Sequence, residues 1–443
     1  MKKIIALTIL CFGILSCGSD SSDMPITDDV VQDDSSDDVT PPGGDNPDPN
    51  PIDPTSLGLV KSATFGTVDA DVADRLVIEP NGSLIHLGRS NQRTNIFAIN
   101  SDFDVLWTEF YDGLNLLDMR LTPDNQLIVS GGTDTANSDD SDAILAKLDL
   151  SGAVIWQTTV AGELGENLQS VDFTSDGGYV AAGNTTSTSG FINQNNGGQD
   201  LIVVKFDSNG DMEWANNYGG TDSDRAEDIL VLPNGNFLVM GTTISTDGDV
   251  TDNDGIVDIW MLLLEPDGTL ISSKTIGSLG SDGGNSIHVL QNGNYLIAGR
   301  NEEANLDATE NNGNQDAWVV IIDTNLNIVD QASFGDSELE LSRDFFELPN
   351  GDFIITGISW SSEGIAIDNK GASDYMVLRM SPDLMLKDTL LIGGRNLDFV
   401  SGAVLADKNT LWLTGSTTSS DGDIMENNGG FDVWTTQIFV PDN

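Results

Sequence analysis

The sequence predicts an all-β fold, a seven-bladed β-propeller of four-stranded antiparallel blades closed by an N-terminal strand that completes the last blade. Three observations predict it. First, markers recur at one spacing. Asp142, Asp200, Asp258, Asp316, Asp374 and Asp432 stand 58 residues apart. The turn dipeptides Asp176-Gly177, Asn234-Gly235, Asn292-Gly293, Asn350-Gly351 and Lys408-Asn409 keep that interval, as do the acids Glu166, Asp224, Asp282, Glu340 and Asp398. A period of this order marks a repeat architecture. Second, each copy reads as four short strands, and four-stranded units repeated radially make a propeller. Third, there are seven a–b hairpins and seven c strands but only six d strands after them. Leu59 to Gly66 precedes the first a strand and matches the d pattern of Ala215-Asn216-Asn217-Tyr218-Gly219. It is expected to fill the gap and remove the open edge that would invite aggregation.

The elements follow in order within one copy, 226–276. Asp228 to Leu232 is strand a, and Asn234-Gly235 reads as a two-residue hairpin turn. Phe237 to Met240 is strand b. A long polar loop leads to strand c, Asp258 to Leu264, and Pro266-Asp267-Gly268 turns into strand d, Thr269 to Ile276. No segment sustains a 3.6-residue apolar period, so helices should be nearly absent. Earlier copies, with turns at Asn81-Gly82 and Asp124-Asn125, have shorter loops. The tryptophans at 107, 156, 214, 260, 318 and 434 fall on strands and are expected between blades. His86 and His288 sit among apolar strand residues and are expected to be structural.

Outside the repeats, residues 1–16 read as a secretory signal. Met1-Lys2-Lys3 is a positive start, and Ile4 to Leu15 is apolar but too short to span a bilayer. Residues 17–56 read as a linker. Positions 18–56 hold eleven Asp, seven of the 14 Pro and no Lys or Arg. Such a segment buries too little surface to order itself. Residues 57–443 form the propeller. The chain has 71 acidic and 18 basic residues, a net charge of −53. That balance disfavours nucleic acid and anionic headgroups and favours cations, basic proteins or neutral ligands. Solubility alone would also account for it. The only cysteines are Cys11 and Cys17, so the mature chain has no disulfide chemistry.

Ile14-Leu15-Ser16-Cys17-Gly18 resembles the lipobox of bacterial lipoproteins. The resemblance implies cleavage before Cys17 and lipidation of its thiol, hence an outer-membrane lipid anchor, which several acyl chains make durable. Gly18-Ser19-Asp20-Ser21-Ser22-Asp23 resembles the acidic export signals of surface lipoproteins in Bacteroidota. Trp214 to Gly220, Asp224, and Asp228 to Thr243 resemble the bacterial seven-bladed propeller repeat related to kelch. That resemblance implies architecture and no enzyme activity. Asp149 to Trp156 resembles the tryptophan-docking repeats of quinoprotein propellers, without the cofactor contacts of those enzymes.

In such a ring the a–b and c–d turns share one face, and the b–c and d–a loops the other. The tether enters strand d from the tight-turn face, which leaves the long loops pointing away. Functional residues concentrate in such loops. Three loops share a pattern: Asp249, Asp252, Asp254 and Asp258; Asp307, Glu310, Asn312 and Asp316; Asp423, Glu426, Asn428 and Asp432. Carboxylate-rich turns with a glycine can supply the oxygens Ca²⁺ requires. Turn chemistry explains the same residues, since Asp and Asn bond their own backbone. The repeated acids of the d–a connections are expected to accept backbone N–H groups at blade junctions. Trp360 is the aromatic candidate for ligand contact. The leading expectation is a monomeric, non-enzymatic cell-surface scaffold that binds glycan or protein through its long loops. A periplasm-facing assembly scaffold, or a carbohydrate-active hydrolase or lyase with acids at the channel mouth, are the alternatives.

Overall fold

The computed structural model describes residues 53–91, 93–134, 140–192 and 195–442. Cys17, the signal segment and nearly all of the linker lie outside them. The described residues form seven antiparallel sheets of four strands, with a short 3-10 helix at Gly364–Ala366. No helix among them is long and apolar enough to cross a membrane. The a strands are Asp71–Ile78, Leu114–Leu121, Glu166–Phe173, Asp224–Val231, Gly283–Val289, Glu340–Glu347 and Asp398–Asp407. Each packs against the a strands of its two neighbours, the seventh against the first, and together they line a central channel.

The seventh blade is built from both ends of the chain. Its sheet runs from Asp398–Asp407 through Thr410–Thr417 and Asp432–Phe439 to the N-terminal strand Gly58–Phe65. The last pair is antiparallel, from Gly58 opposite Phe439 to Phe65 opposite Val433. Closure therefore leaves no c-strand edge exposed in this blade.

Burial peaks in strands b and c, between the channel-lining a strand and the outer d strand. Strand c of blade 3, Asp200–Phe206, is buried at every residue, whereas strand d, Met212–Tyr218, exposes its first residues. Strand c is covered on both faces by neighbouring blades, so it reads as a continuous apolar run. Trp260, Trp318 and Trp434 are fully buried between blades. The d-strand tryptophans are half-buried and reach the next blade. Trp107, Trp156 and Trp214 lie against Gly152, Gly210 and Gly268, the left-handed glycines of the following c–d turns. A Cβ at Gly210 would stand 2.5 Å from the Trp156 ring. The tryptophan and the turn glycine are thus one junction device.

The a–b turns differ from the expected two-residue hairpins. In blade 4, Gly235 N–H donates to Leu232 O and Leu232 N–H donates to Asn236 O. The turn is Leu232-Pro233-Asn234-Gly235, with Gly235 at φ +89° as its bulge. Pro233 presets the φ of the first central position, and the glycine absorbs the left-handed step.

Candidate binding face and channel mouth

The recurrent acids of the d–a connections are tied into the blade junctions. Asp224 accepts hydrogen bonds from Gly220 N–H at 2.8 Å and Ser245 Oγ at 2.9 Å, and also from Thr243 Oγ1. Asp398 repeats this with Gly394 N–H, Ser419 and Thr417. Glu166 holds Gly162 N–H and Thr185, and Glu340 holds Asp336 N–H and Ser359. All four are buried, and each turns the chain from one blade into the next.

A second carboxylate lies beside Asp224, Asp282, Glu340 and Asp398, and beside Asp71 at the seam. Asp200, Asp258, Asp316, Asp374 and Asp432 begin the c strands, and each has a buried Oδ1 without a hydrogen-bond partner. Burial raises all five above the usual carboxylate range. Asp258 and Asp374 reach about 7, with the charges of Asp282 and Asp398 adding to the burial effect. A neutral acid needs no cation, and its proton removes the repulsion from the neighbouring carboxylate.

The loop residues expected as calcium ligands are distributed among several tasks. Asp252, Asp254 and Asp258 line a cavity of about 250 Å³ with Asp307 from the next blade's loop. Asp249 instead accepts from Gly219 N–H, and Asp423 from Gly393 N–H and Lys370 Nζ. Asn312 and Asn428 donate their backbone N–H to Asp316 and Asp432. Glu310 and Glu426 contribute backbone carbonyls, to Asn301 and Thr64. Among the described residues no group of three or more His, Cys, Asp or Glu side chains is arranged to hold a metal ion. The loops are organised by a residue that sequence reasoning passed over. Asn253, Asn369 and Asn427 each accept from the glycine N–H two residues on and donate to strand-b carbonyls or the residues just after them. Asn195 accepts from Gly197 N–H, and Asn311 donates to Asn301 O. These asparagines share the 58-residue interval and were legible as a marker.

The channel is where charge concentrates. Every a strand carries a bulge, and the extra residues are Asp74, Leu117, Gln169, Glu227, Asn285, Arg343 and Ser401. A bulge re-aims the backbone and its side chain. Strand a begins at the long-loop face, so these positions, with Arg75, Arg225 and strand-b residues Arg89 and Arg300, lie toward the long-loop mouth. Deeper, Arg120 of blade 2 spans the channel. It donates to Ser170 Oγ at 3.2 Å and to Asp228 of blade 4 at 3.1 Å, and lies 3.6 Å from Asp172. Arg75 bonds Asp118 at 3.0 Å, and Asp118 and Asp228 accept N–H groups of Val171 and Ile287 in following blades. His288 Nε2 lies 2.9 Å from Asp344. This belt links blades 1 to 6.

Both histidines have structural partners. His86 is fully buried, stacks on Phe97 with centroids 4.5 Å apart, and meets Thr435 at 2.9 Å across the blade 7–blade 1 junction. Burial depresses it to about 3, so it is neutral. Trp360 follows strand b of blade 6 and is half-buried, its ring 5.7 Å from Phe399, which in turn lies 6.1 Å from Phe431. Phe399 is the second residue of its a strand, the register of Arg225, so this aromatic run also reaches the long-loop mouth.

No family model matches this chain, and no curated protein does. Solved structures match in fold. Virginiamycin B lyase from Staphylococcus aureus, a catalytically inactive variant solved with quinupristin, is 9% identical with a TM-score of 0.50, covering 86% of this chain and 99% of its own. The Pan2 WD40 domain of Neurospora crassa is 11% identical with a TM-score of 0.50, covering 87% of this chain and 97% of its own. A protein of unknown function from Dyadobacter fermentans is 10% identical with a TM-score of 0.45, covering 87% of this chain and 99% of its own. At such identities the likeness is one of fold alone. In fold, this chain is a seven-bladed β-propeller.

Proposed function

We propose that this protein is a non-catalytic binding scaffold, lipidated at Cys17, held on the outer membrane and displaying its long-loop face at the cell surface to glycan or protein. One observation carries the reading. The chain enters and leaves the ring on the same face, and the loops and the channel mouth lie on the other. Leu57 N–H donates to Asp388 on the outer strand of blade 6 just before the closing strand begins. At the other terminus Val440 N–H donates to Asn409 O in the a–b turn of blade 7, and Lys408 pairs with Asp442 at 2.6 Å. An anchor attached before residue 57 would therefore join the ring from the tight-turn face, opposite the long loops. Bonds of the repeated acids to backbone and hydroxyl groups fit junction-building better than five catalytic centres.

Protease shaving of intact cells tests the surface placement. Loss of the propeller from intact cells supports it, and protection until the envelope is opened assigns it to a periplasm-facing scaffold. A glycan array, followed by product assays on any hit, tests the binding role. Turnover of a bound glycan would replace binding by hydrolase or lyase chemistry.

A further inference from the structure

We propose that the long-loop mouth of the channel is an anion site, in which Arg300 and Arg343 receive the carboxylate or sulfate of an acidic sugar while the aromatic run at Trp360 and Phe399 faces its ring. The proposal deepens the reading of the long-loop face as the ligand face, and rests on it for the sugar but not for the anion.

Arginine is scarce in this chain, nine residues against 71 acidic ones. Arginine ion pairs among the described residues involve Arg75, Arg89, Arg93, Arg120, Arg379 and Arg395. Arg300 and Arg343 take part in none, although carboxylates outnumber cations about fourfold by the same composition. The Nε of Arg343 is buried without a hydrogen-bond partner. Arg300 lies over Gly283, whose Cβ, if present, would stand 3.0 Å from the guanidinium. That bare position gives the side chain its room.

The two arginines are close enough to repel. Burial, followed by the charges of Arg300 and Arg75, holds Arg343 down to about 10, with Glu227 and Asp74 opposing. Asp74 is already bonded to Arg89 at 3.0 Å and Arg75 to Asp118. Glu227 faces Arg300, Arg225 and Arg343, none of which has an ion pair among the described residues, so one carboxylate is left to offset several guanidiniums. An unneutralised cation pair at a partly desolvated mouth costs stability, and an anion from outside relieves it. Guanidinium forks match the paired oxygens of carboxylate or sulfate. Half-burial of both arginines leaves them reachable by solvent. The acidic long loops around the mouth oppose polyanions, so the site suits a single terminal charge on an otherwise neutral ligand.

The test uses the purified full chain, with sodium glucuronate, sodium sulfate, glucose and sodium chloride as probes at matched ionic strength. Titration calorimetry and thermal unfolding are both read. Glucuronate should bind and raise Tm, and Arg343→Gln should weaken it about tenfold or more, because a charged hydrogen-bond donor is lost. Without ligand, Arg343→Gln should keep or raise Tm, which a structural arginine would not do. Sulfate binding as tightly as glucuronate assigns the site to sulfated sugars, and weaker sulfate binding assigns it to uronates. No anion-specific binding, or binding that Arg343→Gln leaves unchanged, overturns the site. Anion binding with a negative glycan array keeps the site and retires the glycan reading, whereas glucose-type binding without charge dependence does the reverse.

Discussion

Blade 7 and blades 1 to 6 hold the ring together by different means. In blades 1 to 6 the channel side of the a strands carries a continuous belt, from Arg75–Asp118 through Arg120–Asp228 to His288–Asp344. In blade 7 the equivalent stretch is Val400-Ser401-Gly402-Ala403-Val404, without a charge. There Gly402 packs on the backbone of blade 1, and an added Cβ would meet Leu76 N at 3.1 Å. Val404 occupies the place that Arg120 holds in blade 2, counted from the bulge residues Ser401 and Leu117. The seam is thus closed by chain continuity and close backbone approach, while the junctions among blades 1 to 6 share charge across the channel.

The largest effect should come from breaking the seam itself. Deleting residues 57–66 removes the outer strand of blade 7 and bares the edge of Asp432–Phe439. We expect loss of cooperative unfolding and concentration-dependent aggregation, followed by calorimetry and light scattering. An unchanged melting transition would refute closure by this strand. Next is Arg379, which is 2% exposed at its side chain and bonds Asp352 at 2.7 Å and Pro441 O at 2.8 Å, tying blade 6 to the chain end. Arg379→Met should cost about 3–5 kcal/mol, since Asp352 loses its principal partner in the interior. Lys387, also on Asp352, limits the loss.

A matched pair of substitutions isolates what the belt contributes. Arg120→Leu leaves Asp118, Asp172 and Asp228 facing one another and should cost about 3 kcal/mol, with strong dependence on pH. Val404→Ala at the corresponding place in blade 7 should cost only about 1 kcal/mol. Equal costs in chemical denaturation would mean that the belt contributes nothing particular to blades 1 to 6.

A separate comparison is the pH slope of stability. Asp258 and Asp374 titrate near 7 in the folded chain, mainly through burial, against 3.8 for the ordinary carboxyl. The folded state keeps these protons while the unfolded chain has lost them. Their contribution is full below about pH 4 and is lost as pH rises through 7. Tm should therefore fall from pH 5 to pH 8, and Asp258→Asn should flatten the fall. A rise over that range would contradict the protonated carboxyls. Recovery of Tm at pH 8 by calcium chloride, reversed by chelator, would instead place Ca²⁺ where the proton sits.

Much of the architecture was legible because it is local. Short apolar strand runs, turn glycines and an interval repeated along the chain specify four strands per unit, and counting them shows the missing d strand. The junction acids were legible for the same reason, since Asp224 and Asp398 bond groups within a few residues or one hairpin. The turn type was not, because Asn234-Gly235 fits two hairpins and Pro233 selects between them. The calcium pattern drew attention to acids, while Asn253 and its repeats organise the loops through their two-sided amides.

Residue order alone thus specified the strands, their number, the closing segment and the face on which the chain enters the ring. The channel belongs to the folded ring. Arg75, Glu227, Arg300 and Arg343 come from four blades, and nothing in their spacing announces that they meet. Bulges at positions 74, 227 and 343 turn the strands inward there, and a bulge is a property of strand pairing, not of one strand's residues. Ring closure then brings distant charges within range, where low solvent access makes each unpaired guanidinium count.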